Sequence, residues 1–417
     1  MCYNKIIINH NNIITQFTGG VNMIFQLMDN KFDCAGVYLP NKFVFDKIPD
    51  GLTKTWAWSK HLDGRDIDYA NLWAGGRSIN DVCPDHLRER WETSNNLLKS
   101  HFKAFTTSQI NLNDVCFYDV VPQKHLQHYF DAKNEITKWV FENFPKPKNY
   151  SFLKETFGNL RKLAQHPLKL NTFALYCISV EDQKAKHLYE QFEGKPINID
   201  YDIFGTITGR LTTKRGSFPI LNLKGELKNH VHPQNDVFLE LDFNAAEVRT
   251  LLSLQKIQQP QEDIHDWNIQ NIFKEDIDRA EAKRRMFAWL YNPESSTIKS
   301  DVYDRKKILE KFYDGQEVST PFGRTIAAPD SKALNYLLQS TSSDNTIDRF
   351  NKISRFLSNS RSFVAAVVHD SVVIDLDKEE RHLIPQLKQI FEDTKLGKFK
   401  VNVSLGKNLG QMKEFKW

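Results

Sequence analysis

The hydrophobic pattern changes period several times along the chain, and each change marks an element. "VFLELDF" (237–243) alternates with period two, so Leu239 and Leu241 share one face and Glu240 and Asp242 the other. "NAAEVRTLLSL" continues it as a helix. "DRAEAKRRMFAWLYN" has helical spacing and is stopped by Pro293, and "KALNYLLQSTSSDNTIDRFNKISRFL" predicts a longer helix. "FVAAVVHDSVVIDLD" (363–377) holds two valine-rich strands that meet at His369 and Asp370, a hairpin with a carboxylate at its tip. A helix at 378–392 and a strand, "KFKVNVSLG", complete the pattern. Helices inserted between sequence-distant strands predict an antiparallel α+β core.

Upstream of "YDIFGTITGRLTT", a strand and turn, the texture differs. Residues 122–195 are helical, with "KHLQHYFDAKNEITKWVFENF" followed by a basic stretch carrying Lys146, Lys148, Lys154, Arg161, Lys162 and Lys169. That stretch fits a solvated helix face, or a surface for phosphates. Residues 1–115 mix short strand-like runs ("CAGVYLP", "KFVFDKI") with polar turns. They hold four of the eight Trp (Trp56, Trp58, Trp73 and Trp91), which predicts a small α/β domain of its own.

Composition narrows the class. The 417 residues are 40% hydrophobic and 26% charged, as expected of two or three globular domains. No apolar run approaches the roughly 18–20 residues of a membrane helix. "KIIINHNNIITQF" is broken by His and Asn, unlike a signal-peptide core, and Met23 is an alternative start. Cys2, Cys34, Cys83, Cys116 and Cys177 are scattered without a C-x-x-C pair. That points to a reducing cytosol and away from a zinc site or a disulfide framework. A net charge of +4 leaves any nucleic-acid surface to a local patch.

Two constellations carry chemistry. Asp242 and Asp370 each end a hydrophobic strand. Alone, each fits an ordinary turn residue; on neighbouring strands, they would repel, and a cation would relieve the repulsion. Mg²⁺ suits such a site because it takes few protein carboxylates and completes its shell with water and phosphates. On "DRAEAKRRMFAWLY", Arg279, Lys283, Phe287 and Tyr291 recur every four residues, so neighbours stay on one side of the helix. Two cations followed by two rings would clamp a polyphosphate and stack on a base. His265 of the preceding "DIH" adds a third phosphate donor. The alternative is an amphipathic helix with both rings in the core and the cations snorkelling.

Taken together, these residues resemble the family A DNA polymerases, the bacterial polymerase I type, across residues 201–417. "TGRLTT" is similar to the family's T-G-R-L-S-S, "LDFNAAEVR" to motif A (D-Y-S-Q-I-E-L-R), and "VVHDSVV" to motif C (V-H-D-E). "RAEAKRRMFAWLY" keeps the R-x3-K-x3-[FY]-x3-Y spacing of motif B. "LNYLLQSTSSD" resembles a helix lying against template and primer, and "VSLGKNLGQMKE" the family's last strand.

The resemblance implies a right-hand polymerase: an antiparallel-sheet palm at 201–261 and 333–417, helical fingers at 262–332, and a helical thumb at 116–200. A small N-terminal α/β domain of unknown role would occupy 1–115. It implies extension of a primer 3′-hydroxyl by deoxynucleoside triphosphates on primer-template DNA. Asp242, Asp370 and the carbonyl of Phe243 would hold two Mg²⁺, with Mn²⁺ able to substitute. His265, Arg279 and Lys283 would bind the triphosphate, Lys283 also as general acid, while Phe287 and Tyr291 pack on the nucleotide. Glu247 matches the steric gate against ribonucleotides. Arg210, Asn222, Asn335, Gln339 and His369 would contact DNA.

Four departures stand out. Ser371 replaces the glutamate of motif C, and Asn292 with Pro293 follows the motif B tyrosine. Ser331 and Lys332 stand where an arginine is usual, and Leu409 stands where a final Trp is usual. No Asp-x-Glu precedes Asp242, so no 3′–5′ exonuclease is expected. A monomeric, cytoplasmic enzyme of a bacterium or virus-infected cell is the expectation. A single-subunit RNA polymerase relative and a decayed primer-template binder are the alternatives. The absence of Y-x-D-D speaks against a reverse transcriptase.

Overall fold

A computed structural model describes residues 23–29, 35–45, 47–111, 115–292, 294–296, 298, 300 and 302–415. The chain forms two compact units, one from residues up to 70 with 79–143, the other from 71–78 with 144–417.

In the first unit, Gln26–Asp29, Ala35–Leu39 and Lys42–Phe45 make an antiparallel sheet, so the described parts of the two strand-like runs are strands. A parallel three-stranded sheet lies in the same unit. Two long helices, Asp85–Thr107 and Gln123–Asn143, share a core in which Met28, Tyr38, Leu98, Phe105, Leu126 and Phe130 meet. The domain boundary expected at 115/116 is therefore corrected. The helix expected to open the thumb buries its apolar face within the N-terminal unit, and the units divide after Asn143. Cys83 and Cys177 are free, but Cys116 is disulfide-bonded, which corrects the expectation of unpaired cysteines at that position. Cys2 and Cys34 lie outside the described residues.

The second unit is built on a five-stranded sheet. Its strands are β1 (Val237–Phe243), β2 (Phe363–Val368), β3 (Ser371–Leu376), β4 (Val401–Gly406) and β5 (Lys413–Glu414), in the order β2-β3-β1-β4-β5, antiparallel throughout. The alternation in β1 is as predicted: Leu239 and Leu241 are fully buried, while Glu240 and Asp242 are half-buried. The valine runs are buried along β2 and β3, and this anchors the hairpin between them.

Four helices carry the rest of the argument: α1 (Ala246–Leu254), α2 (Ile264–Asn268), α3 (Arg279–Tyr291) and α4 (Asp330–Phe356). They meet in one apolar core through Val248, Leu251, Ile264, Met286, Trp289, Leu334 and Leu337. Helix α3 ends at Tyr291, with Asn292 already extended; Pro293 lies outside the described residues. The helix Tyr150–Leu163 follows the unit boundary, and its basic neighbours are engaged locally. Lys146 lies over the rings of Trp73 and Tyr150, Arg161 pairs with Asp200 at 3.1 Å, and Lys169 donates to the Gln234 carbonyl.

Candidate active site

The antiparallel register brings the two strand-end carboxylates together. Asp242 of β1 lies opposite Ser371 of β3, and Asp370 immediately precedes Ser371 in the two-residue turn that joins β2 to β3. The Phe243 amide donates to the Asp370 carbonyl across the gap at 3.3 Å. His369 adopts φ 53°, the left-handed geometry that tight hairpins require, and leaves its ring exposed beside Asp370. Tyr201 secures the hairpin from behind. Its buried hydroxyl donates to the Val367 carbonyl at 2.7 Å and accepts from the Val367 amide at 3.0 Å.

Electrostatics at this edge favour a cation. Burial pushes the Asp242 carboxyl up to about 6; Glu240 and Asp370 add to the rise, and a bond from Asn402 Nδ2 at 3.3 Å opposes it. Burial also raises Asp370, against the pull of Arg210 and His369. Half-buried carboxylates with mutual repulsion fit a hard cation. The donor set is small: among the described residues no group of three or more His, Cys, Asp or Glu is arranged around a single metal position. Two carboxylates at one edge suit a divalent cation that keeps part of its water shell.

Helix α3 presents its faces as the cation-and-ring reading requires. Ala282, Met286, Trp289 and Leu290 form the buried side, whereas Arg279, Lys283 and Tyr291 are exposed and Phe287 is half-buried. The alternative of both rings in the core is thereby excluded. Phe287 and Tyr291 stack at 5.8 Å with planes 6° apart, and the Lys283 ammonium lies 5.9 Å from the Phe287 ring centre. His265, on α2, packs near Phe287. Burial, helped by Arg279 and Lys283, pulls its imidazole down to about 4, so at neutral pH it is an uncharged donor rather than a third cation.

Glu247, at the start of α1, is buried between two groups. Arg210 reaches it at 2.5 Å, and Tyr291 donates its hydroxyl to it. Burial raises the Glu247 carboxyl; Tyr291 and Arg210 partly offset this. One carboxylate thus ties the T-G-R turn to α1 and to the end of α3. On the other side of Asp370, a cavity of about 310 Å³ is lined by Arg210, Thr212, Asn222, Ser343, His369 and Asp370. Asn335 and Gln339 lie one turn apart on α4, half-buried, with Asn335 Oδ1 unpaired among the described residues. Most of the predicted residues thus fall into three groups, the carboxylate edge, the α2–α3 face and the cavity beside Asp370, while Glu247 lies on α1 and Asn335 and Gln339 on α4.

Sequence reasoning missed three supports. Asp263 accepts from Arg279, from Asn244 Nδ2 at 2.8 Å and from the His265 amide at 2.9 Å. Asn402 and Tyr201 hold the two carboxylate strands. A polar residue between two valines in "KVNVSLG" was the available signal for Asn402; nothing around Tyr201 marked it.

No family model matches the chain. A DNA polymerase of Bacillus phage SP01 is 25% identical over 293 residues, covering 52% of this chain and 32% of that protein. The chain thus spans about a third of the length of this curated relative. Among solved structures, the polymerase domain of Pol1 from M. smegmatis, in complex with DNA primer-template and dNTP, superimposes with a TM-score of 0.56. That match covers 91% of this chain and 93% of that one at 12% identity. No helix among the described residues is long and apolar enough to cross a membrane. The chain has the α+β polymerase fold; its similarity in sequence is to a phage DNA polymerase and in structure to the polymerase domain of Pol1.

Proposed function

We propose that the chain is a template-directed DNA polymerase that adds deoxynucleotides to a primer 3′-hydroxyl, without proofreading. The observation that supports this reading is the meeting of Asp242 and Asp370 at one sheet edge, in a unit whose helix α3 carries Arg279 and Lys283 on its exposed side. Asp242, Asp370 and the Phe243 carbonyl would hold divalent cations, Mg²⁺ or Mn²⁺. Such cations, when bound, supply Lewis-acid polarisation of the phosphate and a lowered pKa for the attacking hydroxyl.

The protein's own groups bind and orient. Arg279 and Lys283 offset the triphosphate charge, and neutral His265 donates a hydrogen bond without adding charge. Lys283 can pass a proton to the departing pyrophosphate. Phe287 and Tyr291 offer a stacked pair of rings to the base. Glu247, held rigid by Arg210 and Tyr291, fills the space where a ribose 2′-hydroxyl would lie. Arg210, Asn222 and His369, around the cavity beside Asp370, would contact the primer terminus, and Asn335 and Gln339 the template side.

Primer extension with Mg²⁺ by the wild type and by Asp370→Ala tests the reading. Extension by the wild type, its loss in the variant, and preference for deoxy- over ribonucleotides are expected. Equal use of both sugars would favour an RNA polymerase-like enzyme. Binding of primer-template without extension would favour a decayed binder.

A further inference from the structure

Among the departures from the family pattern, Ser371 stands at the motif C glutamate position. We propose that Glu240 supplies the missing carboxylate from the neighbouring strand, with Ser371 as its holder, and so acts as a positioning residue for the acidic centre. This inference rests on the polymerase reading above.

The pairing geometry places the groups on one face. Glu240 and Asp242 are two residues apart on β1, and residues directly opposite across an antiparallel ladder share a face, so Ser371 joins them. Glu240 pairs with Val373, which makes Ser371 its diagonal neighbour, within reach of a long side chain. The Ser371 hydroxyl, buried in the sheet, lies 3.0 Å from Glu240 Oε1 and 3.0 Å from the Val368 carbonyl. A hydroxyl has one proton for these two acceptors. The anionic one makes the stronger bond, so the proton goes to Glu240. The serine oxygen is then left as an acceptor on the face it shares with Asp242.

Glu240 also lacks the partner a structural glutamate would have. Among the described residues it forms no ion pair, and its side chain bonds only to a neutral hydroxyl. A carboxylate placed two residues from Asp242, on the same face and without a cation, is unfavourable unless a bound cation offsets it. A glutamate at 371 would project from that same face. The carboxylate has moved by one cross-strand diagonal and stayed at the same edge.

The test exchanges the two side chains. Mn²⁺ binding to the protein–primer-template complex is followed by electron paramagnetic resonance, beside primer extension and thermal melting. Glu240→Gln removes the charge that shares a face with Asp242 and should weaken Mn²⁺ binding and extension by about fivefold or more. Its melting temperature should be unchanged or higher. The exchanged double variant, Glu240→Ser with Ser371→Glu, should recover most of both losses. Ser371→Ala, which keeps the charge but removes its holder, should lose severalfold in Mn²⁺ affinity and decides the matter if the exchange variant does not fold. Wild-type Mn²⁺ binding in both Glu240→Gln and Ser371→Ala would overturn the inference, as would a folded exchange variant no better than Glu240→Ser. A wild type that neither binds Mn²⁺ nor extends primers overturns the polymerase reading itself.

Discussion

Asp263 grips Arg279 in a two-point ion pair, Oδ2 to Nη2 at 2.7 Å and Oδ1 to Nε at 3.2 Å. The same carboxylate caps α2 through the His265 amide and accepts from Asn244, two residues beyond Asp242. Burial works against the Asp263 ion, but the bonds from Arg279, Asn244 and the His265 amide outweigh it and hold its pKa well below the ordinary range. The cation proposed to bind the triphosphate is therefore already engaged by Asp263. To meet a nucleotide, Arg279 must exchange one oxyanion for another.

Weakening that engagement should tighten nucleotide binding. Asp263→Asn keeps an acceptor for the cap but removes the charge. Arg279 is half exposed, so its pair with Asp263 is worth at most about 1 kcal/mol. The expected gain in dNTP affinity is then no more than about fivefold. Stopped-flow measurement of the nucleotide Kd on a primer-template complex checks it. A weaker Kd would mean that Asp263 preorganises Arg279 instead of competing for it.

The raised Asp242 carboxyl makes a pH prediction of definite sign. Its folded pKa of about 6 lies above the unfolded value of 3.8, so the folded state binds more protons between these values. Stability contributed at this position therefore falls as pH rises from about 4 through 6 and stays low above that. Without divalent metal, Asp242→Asn should melt higher than the wild type at pH 8, and the difference should shrink at pH 5. Adding Mg²⁺ at pH 8 should raise the wild-type melting temperature and leave Asp242→Asn unmoved. Equal Mg²⁺ stabilisation of both proteins would remove Asp242 from the cation site.

How much of this was legible in the sequence depends on what each residue's period reports. Leu239, Leu241 and the valines of 364–374 announce buried strands, and the antiparallel core follows from them. The four-residue spacing of Arg279 to Tyr291 showed a shared face but not which face is wet. Met286 and Trp289 on the opposite side decide that, and only packing reveals it. The boundary at 143/144 was not legible, because the apolar face of Gln123–Asn143 does not say what covers it. The helix Asp85–Thr107 also escaped, since "DHLRERWETSNN" dilutes its buried Leu87, Trp91 and Leu98 with charge. Ion pairs between distant segments, such as Asp263 with Arg279, have no local signature at all.

A buried ion pair gives a stability prediction. Arg324 donates to Asp344 of α4 at 2.7 and 3.0 Å; Asp344 is fully buried and Arg324 nearly so. Truncating one partner leaves an uncompensated buried charge, at a cost of about 3–5 kcal/mol. Arg324→Ala should lower the unfolding free energy in urea by that amount. A loss under 1 kcal/mol would show that water reaches Asp344.

The same guanidinium underlies the T-G-R turn, and this links stability to the site. Gly209 adopts φ 76°, and a methyl group there would sit 2.4 Å from the Arg324 guanidinium carbon. Ser343 of α4 donates to the Gly209 carbonyl at 3.2 Å, so the turn is fixed from two sides. The next residue is Arg210, whose guanidinium holds Glu247. Gly209→Ala should therefore displace Arg210 and loosen Glu247 while leaving Asp242 and Asp370 in place. The expected phenotype is a fall in discrimination against ribonucleotides of at least about tenfold, with extension from deoxynucleotides reduced but present. Glu247→Ala should give the same fall in discrimination directly. Ratios of kcat/KM for the two sugars, measured for wild type and both variants, check the chain of contacts. If Gly209→Ala retains wild-type discrimination while Glu247→Ala loses it, Tyr291 alone suffices to hold Glu247, and the turn contributes only to DNA contact.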